Sequence, residues 1–192
     1  MQRRAVLISG SAAALTFISP ARAGVEQVLR QGTGGVLMFR HALAPGTYDP
    51  PGFKLGACST QRNLDGEGRR QAQQIGSWFA ARDLRPTRVR SSPWCRCLDT
   101  AQLAFGDGKV EPWAALGSPR AGTEEVNAQS LAQLRDGLTA AVQRGAGFEV
   151  WVTHMFVFSA FLGESVHSGE ALLLGLNPDG SPRVIDRLAA LA

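Results

Sequence analysis

Several features that would indicate other classes of protein are missing from the sequence. It contains no C-x-x-C pair, no internal repeat, and no long single-residue tract or run of like charge. Repeat arrays, which recur at periods of about 20–50 residues, and low-complexity tails are therefore excluded. A chain of 192 residues that is 44% hydrophobic is long enough for one domain with a real core, so no linker or second domain is expected.

The first 23 residues differ in pattern from the rest of the chain. Arg3 and Arg4 precede an apolar stretch at 5–17, and an A-x-A cleavage pattern follows at 21–23. This layout predicts a secretory signal peptide over 1–23, and the paired arginines also resemble the twin-arginine export pattern. The stretch is shorter than the roughly 20 residues of a membrane-spanning helix, which disfavours a retained anchor. We expect a single periplasmic or secreted domain, 24–192, without stable membrane insertion.

The net charge gives little support to a nucleic-acid partner. The predicted signal peptide carries three arginines and no acidic residue, so its removal lowers the basic count from 20 to 17, against 16 acidic residues. Trp94, Trp113 and Trp151 also lack the neighbouring basic residues typical of nucleic-acid platforms. Any binding of phosphate must therefore depend on where individual arginines are placed.

The three cysteines predict one disulfide and one free thiol, because export would bring them into an oxidising compartment. We expect Cys58 to pair with Cys95 or with Cys97. A zinc site is the alternative interpretation, although the histidines lie far from the thiols in sequence. No metal and no other cofactor is expected.

Strand patterns alternate with helical patterns along the chain. Short apolar runs predict strands at 36–39, 88–91, 148–153, 171–174 and 184–185. Apolar periodicity predicts helices over 64–84, from Ser92 to 105, over 124–144, and from 155 to about Gly163. The alternation predicts an α/β fold, a three-layer sandwich in which a mostly parallel central sheet has helices on both faces.

Four polar residues are expected to meet at one edge of that sheet, where the strands have their carboxyl ends. Arg40 and His41 follow the first strand, Arg96 lies in the opening turns of the helix after the second, and His154 follows the third. The irregular segment 42–63 is long for a connection and predicts a pocket-forming loop.

Two residues at the end of that loop have specific expected roles. Arg62 is a candidate substrate-binding residue, with a salt bridge as its alternative role. Asn63 is expected to cap the next helix. The backbone N–H groups at the helix starts after Ser92 and Thr153 are expected to point into the same crevice as the four polar residues.

These residue types suit phosphoryl transfer. Guanidinium groups are permanently charged planar forks, so Arg40 and Arg96 can hold the oxygens of a phosphate dianion. His41 can attack phosphorus as a neutral imidazole if its second nitrogen donates to a backbone carbonyl. We expect His154 to stabilise an equatorial oxygen as an imidazolium, because a nearby dianion raises the pKa of a histidine.

Ordered segments of the chain resemble signatures of the histidine phosphatase superfamily, which includes the phosphoglycerate mutases. They are L-M-F-R-H-A at 37–42, L-D-G-E-G-R-R-Q-A at 64–72, S-S-P-W-C-R-C-L-D-T-A at 91–101, and V-T-H at 152–154 with Gly163 after its helix. The resemblance implies a phosphoglycerate mutase-like α/β fold, a phosphohistidine intermediate on His41, Arg96 as the second phosphate arginine, and hydrolysis without a metal. A small phosphorylated substrate is the expected partner.

The general acid is where the sequence departs from the family pattern, because Met155 follows His154 where some members have an acidic residue. Glu125 is the candidate acid, with Glu124 and Asp49 as alternatives, although glutamates at a helix start are also favoured by the helix dipole. A non-catalytic protein that binds a phosphate or phospho-ligand is therefore the alternative function. The apolar run 155–158 predicts helix packing, an apolar leaving-group pocket or weakened catalysis, with core packing as the default.

Overall fold

The computed structural model describes residues 24–117 and 127–191. The strands are β1 Thr33–Arg40, β2 Arg88–Ser91, β3 Val110–Pro112, β4 Gly147–Thr153, β5 Ala171–Leu176 and β6 Pro182–Leu188. The α-helices are α1 Val25–Gln31, α2 Gly66–Ala80, α3 Cys95–Phe105, α4 Ala128–Gln143 and α5 Met155–Leu162. Short 3₁₀ turns occupy Cys58–Thr60, Asp107–Lys109 and Ala114–Leu116.

The strands form one mixed sheet in the order β3-β2-β4-β1-β5-β6. The pairs β3/β2, β2/β4 and β4/β1 are parallel, whereas β5 runs antiparallel to both β1 and β6. Only β5 of the described strands therefore opposes the common direction. The expected mostly parallel sheet is confirmed.

Helices cover both faces of the sheet because successive side chains of a strand point to opposite sides. Leu37 and Phe39 of β1 pack in a core with residues of α1, α2 and α3. Val36 and Met38, which alternate with them, pack in a second core with residues of α4 and α5. All four side chains are fully buried. This is the three-layer arrangement expected from the sequence.

The helix starts differ from those expected. Asp65 caps α2 by accepting from the Gly68 N–H at 2.8 Å, so the expectation of Asn63 as cap is wrong; Asn63 donates to the Cys58 carbonyl. The helix after β2 begins at Cys95, not directly after Ser92. Short polar residues compete for these cap positions, and their spacing alone does not decide between them.

Other differences concern short or uncertain segments. Asn127 caps α4 by accepting from the Ser130 N–H, so that helix starts later than the predicted residue 124. The elements α1 and β3 were not predicted, because seven-residue and three-residue segments carry too little periodicity. The predicted signal peptide lies outside the described residues. In the described part of the chain, no helix is both long and apolar enough to cross a membrane.

A disulfide joins Cys58 to Cys95, which is one of the two expected pairings. It ties the long loop to the start of α3, and Cys97 remains a buried free thiol. The alternative of a zinc site is wrong, because two of the three thiols are consumed in the disulfide.

Candidate active site

Parallel pairing of β1 with β4 brings the two histidines together. Arg40 lies opposite Thr153 in the register, so His41 and His154 follow at the same edge of the sheet. Their ring centroids are 5.5 Å apart, and each residue is only 2% exposed. The convergence predicted from the strand ends is therefore found in the structure.

A cavity of about 140 Å³ lies at this edge. Its lining residues are Arg40, His41, Thr47, Arg62, Arg96, His154, Met155 and Phe156. This volume is below the roughly 300 Å³ at which pockets for drug-sized ligands begin, and it suits a small anion. A larger depression of about 630 Å³ lies elsewhere. Its lining includes Arg88, at the amino end of β2, and neither histidine, so it is separate from the predicted site.

His41 presents one unprotonated nitrogen. Its Nδ1 lies 2.7 Å from the carbonyl oxygen of Ala42, and because a carbonyl only accepts, Nδ1 carries the proton. The Nε2 lone pair is therefore available for attack. Burial, followed by repulsion from Arg96, holds the pKa of His41 well below its ordinary value, which keeps the ring neutral. This is the state expected of the nucleophile.

His154 is also neutral in the protein itself, and an imidazolium beside a bound dianion stays a prediction. Its Nδ1 lies 3.2 Å from Nη2 of Arg96, and since a guanidinium only donates, this nitrogen must accept. The proton is then on Nε2, which donates to Oγ of Ser92 at 2.7 Å. Burial first, and Arg96 second, lower the pKa of His154 well below its ordinary value. The positive charge at this position is thus supplied by Arg96.

Three arginines line the cavity. Arg40 and Arg96 were expected to hold phosphate, and Arg62 was the candidate substrate-binding residue. Nη1 of Arg40 donates to the Val166 carbonyl at 2.9 Å, and Nη1 of Arg62 donates to the Ala44 carbonyl. Burial, and then the proximity of Arg96, lower the pKa of Arg62 to about 10. The side chain of Arg62 thus contacts a backbone carbonyl and lines the cavity, which favours its predicted binding role over a salt bridge.

The Nε–H groups of these three arginines share an unusual property. All three are buried, and none has an acceptor among residues 24–117 and 127–191. All three residues line the cavity, so three guanidinium groups surround one small space. In the same ranges, Asp49 is the single acidic side chain that forms an ion pair with any of the three. Three positive charges against one negative charge match a dianion.

Asp49 positions the site from the long loop. Its carboxylate accepts from Nη1 of Arg96 at 2.8 Å, from Nε1 of Trp94 at 3.1 Å and from the backbone N–H of Arg62 at 2.9 Å. Asp49 does not line the cavity, and its three contacts are all with donors. Its interpretation as an alternative general acid is therefore not supported. Its actual role was not foreseen, because sequence spacing does not reveal the partner of a loop carboxylate.

Other residues of the family-like segments fix the backbone immediately after His41. The Ala42 N–H donates to Oγ1 of Thr100 at 3.0 Å, and the Leu43 N–H donates to Oε1 of Gln71 at 3.1 Å. Gly68 packs so closely that a Cβ there would lie 1.9 Å from the carbonyl oxygen of Leu43. These residues therefore hold in place the strand end that carries His41.

One of the two expected helix starts faces the cavity. Met155 and Phe156, which open α5, line the cavity, and no side chain caps this helix. Its positive dipole end therefore favours an anion there. At the start of α3, by contrast, the Trp94 N–H is bonded to Ser92 and the Cys95 N–H to Gln61. These two N–H groups at the start of α3 therefore already donate to protein acceptors and do not face an anion as expected.

The general acid is absent from the described lining of the cavity, which includes neither Asp nor Glu. The candidates Glu124 and Glu125 lie outside the described residues. Gly117, the last described residue before them, packs against the ring of Trp94. That ring lies 5.4 Å from the His154 ring, centroid to centroid.

Neither a protein-family model nor a curated protein matches the sequence. Solved structures do match. The protein histidine phosphatase SixA complexed with tungstate is 16% identical with a TM-score of 0.57, over 81% of this chain and 96% of that chain. Phosphoglycerate mutase from Bacillus anthracis str. Sterne is 13% identical with a TM-score of 0.58, over 83% of this chain and 96% of that chain.

Mycobacterial glucosyl-3-phosphoglycerate phosphatase is a third such structure, 15% identical with a TM-score of 0.58, over 83% of this chain and 99% of that chain. The chain thus spans nearly the whole length of all three. At these identities the likeness shows the fold alone. The chain has the phosphoglycerate mutase-like α/β fold, as the family-like segments implied.

Proposed function

We propose that the protein is a phosphomonoester hydrolase of the histidine phosphatase superfamily that acts outside the cytoplasm. The observation that carries this proposal is the neutral His41 at a small cavity that is also lined by the guanidinium groups of Arg40, Arg62 and Arg96. The arginines of such a site can bind a phosphoryl group, and the imidazole of His41 can accept it. The several phosphatases among the solved structures of this fold support the same class of reaction.

The reaction has two steps on the same nitrogen. In the first, Nε2 of His41 attacks phosphorus, an N–P bond forms, and the ester P–O bond breaks as the leaving oxygen takes a proton from a general acid. In the second, water gives a proton back to that group and attacks phosphorus, the N–P bond breaks, and inorganic phosphate and neutral His41 are released. Arg40, Arg62 and Arg96 stabilise the charge on the equatorial oxygens in both steps.

His154 and Ser92 act through Arg96 in this scheme. Ser92 fixes the tautomer of His154, and Nδ1 of His154 then accepts from the guanidinium. Asp49 holds the other side of the same guanidinium. Arg96 is therefore oriented from both sides before any ligand binds, which lowers the cost of ordering it.

Glu125 remains our candidate for the acid that protonates the leaving oxygen. An acid matters most for a basic leaving group and little for an activated one. Glu125→Gln should therefore slow hydrolysis of ethyl phosphate much more than that of 4-nitrophenyl phosphate. If both substrates were slowed equally, Glu125 would not be the acid.

Action outside the cytoplasm is supported by the signal-like segment and by the Cys58–Cys95 disulfide, a bond typical of oxidising compartments. An exported protein is separated from cytoplasmic glycolytic intermediates, so hydrolysis is favoured over mutase activity. Expression of the full chain tests this directly, because export with cleavage after Ala23 should leave Gly24 as the N-terminal residue of the mature protein. An uncleaved protein in the cytoplasmic fraction would contradict the proposed location.

A phosphate-binding protein without turnover is the second candidate, and the lack of a carboxylate in the described lining of the cavity favours it. The discriminating experiment measures hydrolysis of 4-nitrophenyl phosphate by the wild type, by His41→Ala and by His167→Ala. His167 lies in an exposed loop and serves as the matched histidine control. We expect activity to be lost only in His41→Ala. Equal rates in all three proteins, with retained binding of inorganic phosphate, would favour the second candidate.

A further inference from the structure

The floor and the mouth of the cavity differ in chemistry. The floor is formed by His41, Arg96 and His154, each 2% exposed. Of the other lining residues, Thr47 is exposed, whereas Arg40, Arg62, Met155 and Phe156 are half-buried. The mouth therefore lies between the long loop and the start of α5, and its charge comes from Arg40 and Arg62.

An aromatic pair stands beside this mouth. Tyr48, the single tyrosine of the chain, follows Thr47, and its ring stacks on that of Phe156 with centroids 6.2 Å apart and planes 14° from parallel. Tyr48 remains 56% exposed in this position. We call Tyr48, Phe156 and Met155 the aromatic rim.

Exposed apolar surface is concentrated on the loop that forms this side of the mouth. The large hydrophobic side chains exposed in the described ranges are Leu43, Tyr48 and Leu55, and all three belong to the loop 42–63. Of these three residues, only Tyr48 follows a residue that lines the cavity.

The size of the cavity determines where the rest of a substrate must lie. A volume of 140 Å³ accepts a phosphoryl group but not a bulky ester substituent as well. The substituent must therefore lie at the mouth. A cationic substituent would meet the like charges of Arg40 and Arg62 there, whereas a planar apolar one would gain from burial and ring stacking against the aromatic rim.

We propose that the aromatic rim is a leaving-group subsite that selects phosphomonoesters of aromatic alcohols and phenols. This inference rests on the proposed function of the site. The apolar run 155–158 then has two of the roles expected from the sequence. Met155 and Phe156 contribute to the leaving-group pocket, whereas Val157 and Phe158 pack in the core.

The kinetic test compares benzyl phosphate with ethyl phosphate. Both release an unactivated alcohol of similar basicity, so the ratio of their kcat/KM values reports contact with the substituent, not intrinsic reactivity. We expect a ratio above about tenfold in the wild type and a decrease of about fivefold to tenfold in Tyr48→Ala and in Phe156→Ala. Tyr48→Phe keeps the ring and should keep the ratio. Leu55→Ala removes an exposed apolar side chain of the same loop that does not line the cavity, and it should also keep the ratio.

A binding test with phosphonates does not depend on turnover, because their P–C bond is not hydrolysed. Calorimetry on the purified protein should show tighter binding of benzylphosphonate than of methylphosphonate, and Phe156→Ala should reduce this preference. If the preference is present but neither ester is hydrolysed faster than by His41→Ala, the subsite stands and the hydrolase function fails. If both esters are hydrolysed at equal kcat/KM and both phosphonates bind equally, the hydrolase stands and the subsite is overturned.

Discussion

Oδ1 of Asp49 lies 2.8 Å from Nη1 of Arg96, and the two side chains are only 8% and 3% exposed. The pair links the long loop to the first turn of α3, and the opposite side of the guanidinium reaches His154. A loop carboxylate thus fixes the orientation of an arginine that lines the cavity. Its removal should affect both the stability and the anion binding of the protein.

Asp49→Asn should lower the free energy of unfolding by about 3 kcal/mol, because it leaves a buried guanidinium without its counter-ion. Inorganic phosphate supplies negative charge to the same guanidinium, so it should raise the Tm of this variant more than it raises that of the wild type. Thermal unfolding with and without phosphate measures both effects. Asp136→Asn, at an exposed position of α4, is the matched control. An unchanged phosphate response would contradict the positioning role of Asp49.

Arg96→Ala should reduce kcat by about 10²–10³, as expected for the loss of one donor that stabilises transition-state charge. It should also raise the pKa of His154, because Arg96 contributes to holding that pKa low. Steady-state kinetics and an NMR titration of the ring protons measure the two effects. Arg135→Ala, at an exposed position of α4, should change neither. A kcat loss below tenfold would contradict the assignment of Arg96.

Stability should fall as the pH is lowered from about 6.5. Burial and Arg96 hold the pKa values of His41 and His154 well below the ordinary value, so both rings stay neutral in the folded state while the unfolded chain takes up protons. Below the pKa of the unfolded chain, each ring then lowers the free energy of unfolding by about 1.4 kcal/mol per pH unit, until the pKa of the folded state is reached. Urea unfolding between pH 7.5 and 5.5 measures the slope, and His154→Gln should make it shallower. A flat profile in the wild type would exclude two buried neutral histidines.

Cys97 should be unreactive in the native protein. Burial raises the pKa of its thiol to about 12, and its sulfur lies 3.4 Å from Nε2 of His154 in the interior. An aromatic disulfide reagent should therefore titrate no thiol in the folded protein, one after denaturation, and three after denaturation with a reductant. Three reactive thiols in the denatured protein without a reductant would contradict the Cys58–Cys95 bond.

The sequence predicted those parts of the molecule that depend on periodicity and on chain direction. The buried run ending at Arg40 and the strand ending at Thr153 have unmistakable apolar patterns, and parallel pairing necessarily brings their ends together. The meeting of His41 with His154 therefore followed from elementary rules. The position of Arg96 followed from the same rules, because it lies in the first turn of the helix after the second strand.

The rest depended on contacts that no spacing encodes. The neutral state of His154 results from Arg96 and Ser92, which lie beside the ring only after folding. The sequence identifies Asp49 as an acidic residue of the long loop, but only the folded structure shows that it contacts Trp94 and Arg96. The stacking of Tyr48 on Phe156 likewise joins a loop to a helix start across more than half of the chain.

The most direct test of the hydrolase function is to trap the phosphoryl group on the enzyme. Brief incubation with a ³²P-labelled phosphomonoester, followed by a rapid quench with alkali, should leave label on the wild type, because phosphohistidine survives alkali and is lost in acid. His41→Ala should carry no label, and peptide mapping should place the label at position 41. Turnover by a wild-type protein that never carries label, or label found equally on His41→Ala, would contradict His41 as the nucleophile.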